Sequence, residues 1–210
     1  MSVPRSIVLL GATGTGKTPL GALIERRGLW GSRARHFDFG EHLRRIALQG
    51  HWPGLCDADV GVIEAALGGG ALLEDEHFHI AATILRGFIA SAAAEDLIVL
   101  NGLPRHAGQA RDVAAIVDVR AVIVLSCRAE VVLQRIAADI GGDRAGRLDD
   151  GASAVAAKLE IYRVRTAALV EYYRAGGARI ISVEVGAETT ADLMWQEIDR
   201  SGGFYGVRQP

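Results

Sequence analysis

The stretch that most restricts the fold is GATGTGKT, Gly11 to Thr18. It follows an apolar run, Ile7–Leu10, with the character of a buried strand, and opens into a helical pattern that begins at Lys17. The stretch matches G-x-x-x-x-G-K-[ST] at every fixed position, in the strand–loop–helix setting the pattern needs. Glycines let consecutive backbone N–H groups converge on phosphate oxygens, and the helix N-terminus adds the positive end of its dipole. Gly11, Ala12, Thr13, Gly14, Thr15, Gly16, Lys17 and Thr18 are therefore read as an ATP-phosphate loop. Lys17 would reach the β- and γ-phosphates, and the Thr18 hydroxyl would ligate Mg²⁺. Such loops serve switches, motors and small-molecule kinases alike, so the acceptor of the phosphoryl group must be read elsewhere.

Further apolar runs of strand character follow at Leu97–Leu100, Ala121–Leu125 and Arg179–Val183, with a weaker one at Arg35–Phe39. Helical patterns separate them, at about Lys17–Arg27, Glu41–Gln49, Asp57–Leu67, Glu74–Ala94, Arg105–Asp118, Ala129–Ile140, Ala152–Ala175 and Thr190–Arg200. Strands alternating with helices predict right-handed crossovers and a five-stranded parallel sheet covered on both faces. Ligands of such sheets sit at the carboxyl ends of the strands. A glycine- and charge-rich stretch, DIGGDRAGRLDD at residues 139–150, interrupts two helical patterns and reads as a mobile insert.

Composition narrows the function classes. The 210 residues are half hydrophobic and carry 26 glycines, a globular α/β mixture for one domain. Net charge is −2 with basic residues interspersed among acidic ones, so no footprint for a nucleic acid polymer is expected. Cys56 and Cys127 are too few for a disulfide framework or a zinc site. No apolar stretch reaches the ~18 residues of a membrane span, and the N-terminal run is shorter than a signal-peptide core. A cytoplasmic monomer without a membrane partner is the expectation.

A second motif, NGLPRHAGQA at residues 101–110, now gains meaning. It resembles the D-G-F-P-R-x-x-x-Q-A signature of adenylate kinases and other nucleoside monophosphate kinases. HFDFGEHLRR resembles the family's H-x-S-T-G-D-x-L-R segment, GALLEDE its G-x-L-V-P-D-E, and GRLDD…KLEIYRVRTAALVEYY its G-R-x-D-D…R-L-x-x-Y-x-x-x-T-x-P-L-x-x-Y-Y. The resemblance is collinear from about residue 6 to residue 184. It implies a three-layer P-loop kinase fold, with a helical monophosphate-binding insert at about 39–90 and a short lid at about 139–150. By resemblance, Arg44 and Arg105 hold the acceptor phosphate, with Gly40 and Gly102 allowing close backbone approach and Gln109 reading the base edge. Arg135 would stack on the ATP base, Arg147 would clamp the transferring phosphoryl group, and Asp149 and Asp150 would orient lid and helix arginines. Planar guanidinium groups suit this work because they grip phosphate oxygens bidentately. The implied catalytic set is Lys17, Arg105, Arg147 and Lys158.

Several positions depart from the family pattern. Asn101 replaces an Asp that orders the Mg²⁺ waters, Phe39 a Thr beside the monophosphate base, and Pro19 a Thr after the loop. Lys158 replaces a phosphate-contacting Arg, and Asp139 a second lid Arg whose place Arg144 would take. Asp38, at the carboxyl end of the second strand, either joins Thr18 and Asn101 in the metal's surroundings or caps the helix near Glu41. AMP is the favoured acceptor because Gln109 is retained. The alternatives are a P-loop kinase of another small acceptor and a non-catalytic ATP-binding sensor.

Overall fold

The computed structural model describes residues 3–69, 73–142 and 152–203. β1 (Arg5–Gly11) runs through the phosphate loop into α1 (Lys17–Arg27). Next come β2 (Ala34–Asp38), α2 (Phe39–Gln49), α3 (Asp57–Gly69), a 3₁₀ turn (Asp75–His77) and α4 (Phe78–Ala90). β3 (Leu97–Asn101), α5 (Ala107–Val113), β4 (Asp118–Ser126), α6 (Ala129–Ala137) and α7 (Ala152–Ile161) follow. A π-helical turn (Tyr162–Thr166), α8 (Leu169–Ala175), β5 (Arg179–Glu184) and α9 (Ala191–Arg200) close the order.

The strands pair in parallel in the order β2-β3-β1-β4-β5. β1 is central, and every residue of it after Arg5 is buried. Its side chains alternate between two cores. Ile7 and Leu9 pack with Leu20 and Ile24 of α1 and Met194 and Ile198 of α9. Val8 and Leu10 face the other way, toward Leu43 and Ile46 of α2, Ile80 and Leu85 of α4 and Leu169 of α8. A strand buried on both faces has no place for polar alternation, which is why these runs read as continuously apolar. The result is the expected three-layer α/β/α arrangement. The chain leaves β1 for β2 and β3 on one flank and then crosses from β3 to β4 and β5 on the other, so a crevice opens at the carboxyl end of β1.

Boundaries differ from the sequence expectation where a side chain sets the chain's course. β2 stops at Asp38, because Asp38 caps α2: its Oδ1 accepts from the Glu41 N–H at 3.0 Å. α5 begins only after His106, whose imidazole Nδ1 accepts from the Gln109 N–H at 3.4 Å. It ends early because Asp118 already donates its N–H to Pro4 O at 2.8 Å and starts β4. The long helix expected over 152–175 is broken by the π turn, closed by Ala167 N–H to Tyr162 O at 2.9 Å. α6 ends at Ala137, shortly before Asp139 takes a left-handed φ of 44°. Among the described residues no helix is long and apolar enough to cross a membrane.

The contact between α1 and β2 leaves no slack. A Cβ at Gly21 would lie 2.2 Å from Nε2 of His36, an atom buried without a hydrogen-bond partner among the described residues. Burial pushes the His36 pKa down, with Asp38 opposing in part, so the ring stays neutral and apolar enough to serve as packing. Gly21→Ala is expected to overpack this contact and cost about 1–3 kcal/mol. Urea unfolding of the variant and its parent measures the difference directly.

Candidate active site

The phosphate loop is shaped by backbone angles that only glycine adopts without strain. Gly14 and Gly16 have φ of 78° and 95°, and Gly16 is the N-cap of α1. Thr15 is buried, and its hydroxyl donates to Ala12 O at 2.9 Å, pinning the loop closed. Lys17 lies back over the loop, with Nζ donating to Gly11 O at 2.7 Å and Ala12 O at 2.8 Å. The first turn of α1 holds no acidic residue, so its positive end is not neutralised from within the turn.

Behind the loop, Arg135 is 4 % exposed and donates to backbone carbonyls. Nε donates to Gly14 O at 3.1 Å, and Nη1 to Gly186 O at 2.7 Å and Thr189 O at 2.8 Å. Arg135 therefore staples the loop to the turn that precedes α9. It lies beneath the loop and outside the lining of the cleft.

Strand register brings the next group together. Asp38 of β2 and Asn101 of β3 are paired residues at the carboxyl ends of neighbouring strands. Asp38 Oδ2 accepts from the Thr18 hydroxyl at 2.7 Å and from Asn101 Nδ2 at 2.8 Å, and Asn101 Nδ2 also approaches Thr18 Oγ1 at 3.1 Å. Burial alone would raise the Asp38 pKa. The Thr18 hydroxyl, the Glu41 N–H and the charge of Arg44 offset it, and the carboxyl lies below its ordinary value. Asp38 Oδ1 thus caps α2, as one of the two sequence readings expected, while Oδ2 faces Thr18.

A cleft of about 200 Å³ joins these residues to the basic ones. Its walls include Lys17 and Thr18 from the loop, Arg44 from α2, Gly102 and Arg105 after β3, and Lys158 from α7. A Cβ at Gly40 would come within 3.3 Å of Arg44 Nη1, so the glycine leaves the guanidinium its space. Arg105 is braced by its own loop, Nε donating to Gly102 O at 3.0 Å. Leu43, Ala66 and Leu67 form an apolar part of the wall. Tyr162 and Thr166 of the π turn also line it, although the sequence reading took only Lys158 from their stretch.

Two expected acceptor residues sit elsewhere. The Phe39 ring is 3 % exposed and stacks on Phe37 at 6.0 Å, because an aromatic ring at the start of α2 is best buried in the core below it. Gln109 is 1 % exposed and outside the cleft lining, its amide joined to Arg105 N and Leu73 O. The lid residues Arg144, Arg147, Asp149 and Asp150 lie outside the described residues.

No family model matches the chain. Individual relatives do. The chain is 31 % identical to an adenylate kinase of Parvibaculum lavamentivorans over 182 residues, which is 81 % of this chain and 80 % of the relative. The chain belongs to the adenylate kinase family. It is 29 % identical to the adenylate kinase of Synechococcus sp. WH7803, over 86 % of this chain and 90 % of that one. The adenylate kinase of Stenotrophomonas maltophilia is also 29 % identical, over 81 % and 86 % of the two chains. Membership of the adenylate kinase family makes the protein a phosphotransferase. It also accounts for a phosphate loop and a set of arginines facing one cleft.

Proposed function

We propose that the protein transfers the γ-phosphoryl group of Mg·ATP to a nucleoside monophosphate, with AMP favoured on the strength of the relatives' activity. One observation carries this reading: Lys17 and Thr18 share a single cleft with Arg44, Arg105 and Lys158. Two polyanions must be brought in line while their repulsion is cancelled, and cations at both ends of one cleft do that. Lys17 serves the donor phosphates, and Arg44 and Arg105 the acceptor phosphate. Arg135 lies on the donor side under the loop, and Arg147 is proposed for the transferring group from the lid. α2, α3 and α4 form the acceptor-binding insert.

The Thr18 hydroxyl and Asp38 Oδ2, 2.7 Å apart, are hard oxygen donors that suit Mg²⁺, an ion that keeps most of its shell for water and phosphate. When bound, the ion neutralises charge on the transferring phosphoryl oxygens. Asn101 orients these two donors but adds no charge. The acceptor is already ionised, so no general base is required of the chain.

Initial-rate measurement of ADP formed from ATP plus each monophosphate tests the proposal. Arg44→Ala and Arg105→Ala are expected to raise the acceptor KM about 10- to 100-fold, the worth of a charged hydrogen bond, with the ATP KM nearly unchanged. Loss of ATP affinity with an unaltered acceptor KM would reverse the assignment. A second reading, a kinase of some other small acceptor, is favoured by Phe39 and Gln109, since neither offers the cleft a polar edge for a base. Thermal-shift screening of monophosphates against simple metabolites separates the two.

A further inference from the structure

Thr166 directs its hydroxyl away from its own helix. A threonine inside a helical run commonly turns its hydroxyl back to a carbonyl of the preceding turn or out to solvent. Thr166 is 8 % exposed, and its Oγ1 instead donates to Arg105 O at 2.9 Å, across 61 residues of chain. Arg105 stands just before His106, the N-cap of α5, so its carbonyl has no place in that helix's ladder. The threonine supplies the donor that the ladder does not.

The π turn keeps Thr166 within reach of this carbonyl. Lys158, Ile161, Tyr162 and Thr166 all line the cleft. In a regular α-helix, a residue eight positions beyond Lys158 would lie about 80° round the axis from it. The wider turn, closed by Ala167 N–H to Tyr162 O at 2.9 Å, absorbs part of that rotation, and Thr166 stays on the cleft side with Lys158. Single π turns of this kind are frequent at functional sites. Next to Thr166, Arg165 anchors the same turn from outside, gripping Glu74 bidentately at 2.6 and 2.9 Å. One helical run thus carries one cation of the cleft, Lys158, and the donor that holds the backbone of another, Arg105.

We propose that Thr166 is a positioning residue for the acceptor site, acting through Arg105. Its hydroxyl fixes the Arg105 carbonyl, while Arg105 Nε is braced on Gly102 O at 3.0 Å. With both ends held, the guanidinium meets the acceptor phosphate at a set distance from Lys158, which the same helical run supplies. This inference deepens the nucleoside monophosphate kinase reading above and rests on it.

The test is steady-state kinetics, with the monophosphate varied at saturating ATP and then ATP varied at saturating monophosphate. Thr166→Val keeps the shape of the side chain and removes its hydroxyl. It is expected to raise the acceptor KM roughly 5- to 10-fold, the worth of about one net hydrogen bond, and to leave the ATP KM within about twofold. Thr166→Ser keeps the hydroxyl and is expected to hold the acceptor KM within about twofold of the parent's. In an Arg105→Ala background, Thr166→Val is expected to raise the acceptor KM no further, because the residue acts through Arg105. A purely structural hydrogen bond would lower Tm in Thr166→Val without this pattern. The parent's acceptor KM in Thr166→Val, a serine variant as impaired as the valine one, or full additivity with Arg105→Ala overturns the proposal.

If Thr166→Val does not fold, the exposed anchor of the same turn decides. Glu74→Ala is expected to raise the acceptor KM about threefold, as for an exposed ion pair, with the ATP KM constant. An unchanged acceptor KM in that variant overturns the proposal. If the parent phosphorylates no monophosphate, the kinase reading itself fails, and hydrogen exchange judges the link to Arg105 separately. Faster exchange at the amides of Arg105 and His106 in Thr166→Val supports the link, and unchanged exchange refutes it.

Discussion

Replacing Lys17 with methionine is expected to lower turnover by roughly 10²–10³-fold, the range seen when one preorganised donor to transition-state charge is removed. The substitution keeps the methylene stem and deletes the ammonium. In the protein as it stands, that ammonium rests on Gly11 O and Ala12 O, at 2.7 and 2.8 Å. An incoming phosphate takes over those donors, so the amine sits at the loop in advance of the ligand. The two carbonyls lose a partner in the variant but lie at the cleft, where water replaces it. Stability should therefore fall by no more than about 1 kcal/mol. Calorimetric ATP titration, coupled ADP formation and thermal unfolding on the same preparation check all three points. If the variant binds ATP as tightly as its parent, the phosphate-loop reading is wrong.

The readable and unreadable parts of this chain divide on physical lines. Gly11 to Thr18 was legible because both constraints on it are local: Gly14 and Gly16 need positive φ, and the strand before them is apolar on both faces. The strand-and-helix alternation followed for the same reason. Register is not local. Nothing in the spacing of residues 38 and 101 says that they become paired neighbours, yet that pairing creates the contacts among Thr18, Asp38 and Asn101. The ends of α5 were missed because His106, a residue with weak capping preference, caps it, and because Asp118 is claimed by the sheet. Gln109 fits the family pattern, but its side chain settles on a partner far along the chain. Gln109 meets Leu73 across 36 residues, and no motif records that contact.

Asp38 is where those non-local contacts converge, and its removal is expected to have the largest effect on stability of any change at the site. Asp38→Ala deletes the cap on Glu41 N, worth about 1 kcal/mol. It also strips Asn101 Nδ2 and the Thr18 hydroxyl of their shared acceptor in a buried position, at about 1–3 kcal/mol. Together these cost roughly 2–4 kcal/mol, which lowers Tm by about 4–16 °C for a chain of this size. Asp38→Asn separates the two roles. Asparagine caps about as well as aspartate, so the α2 contribution survives. The charge facing Thr18 does not, and turnover should then need a higher Mg²⁺ concentration. Acid sensitivity gives a further check. The folded carboxyl lies below its ordinary value, so its contribution is complete above the unfolded pKa of about 4 and disappears as pH falls through the lower folded value. Asp38→Asn should lack that part of the acid dependence. Asn101→Asp completes the argument from the other side. It would set a second carboxylate at the 2.8 Å contact with Asp38, where like charges repel unless a cation lies between them. That variant is expected to be destabilised in chelator and recovered by millimolar Mg²⁺. An Asp38→Asn enzyme with the parent's Mg²⁺ requirement, or an Asn101→Asp protein indifferent to Mg²⁺, would remove Asp38 from the metal's surroundings and leave it only the cap.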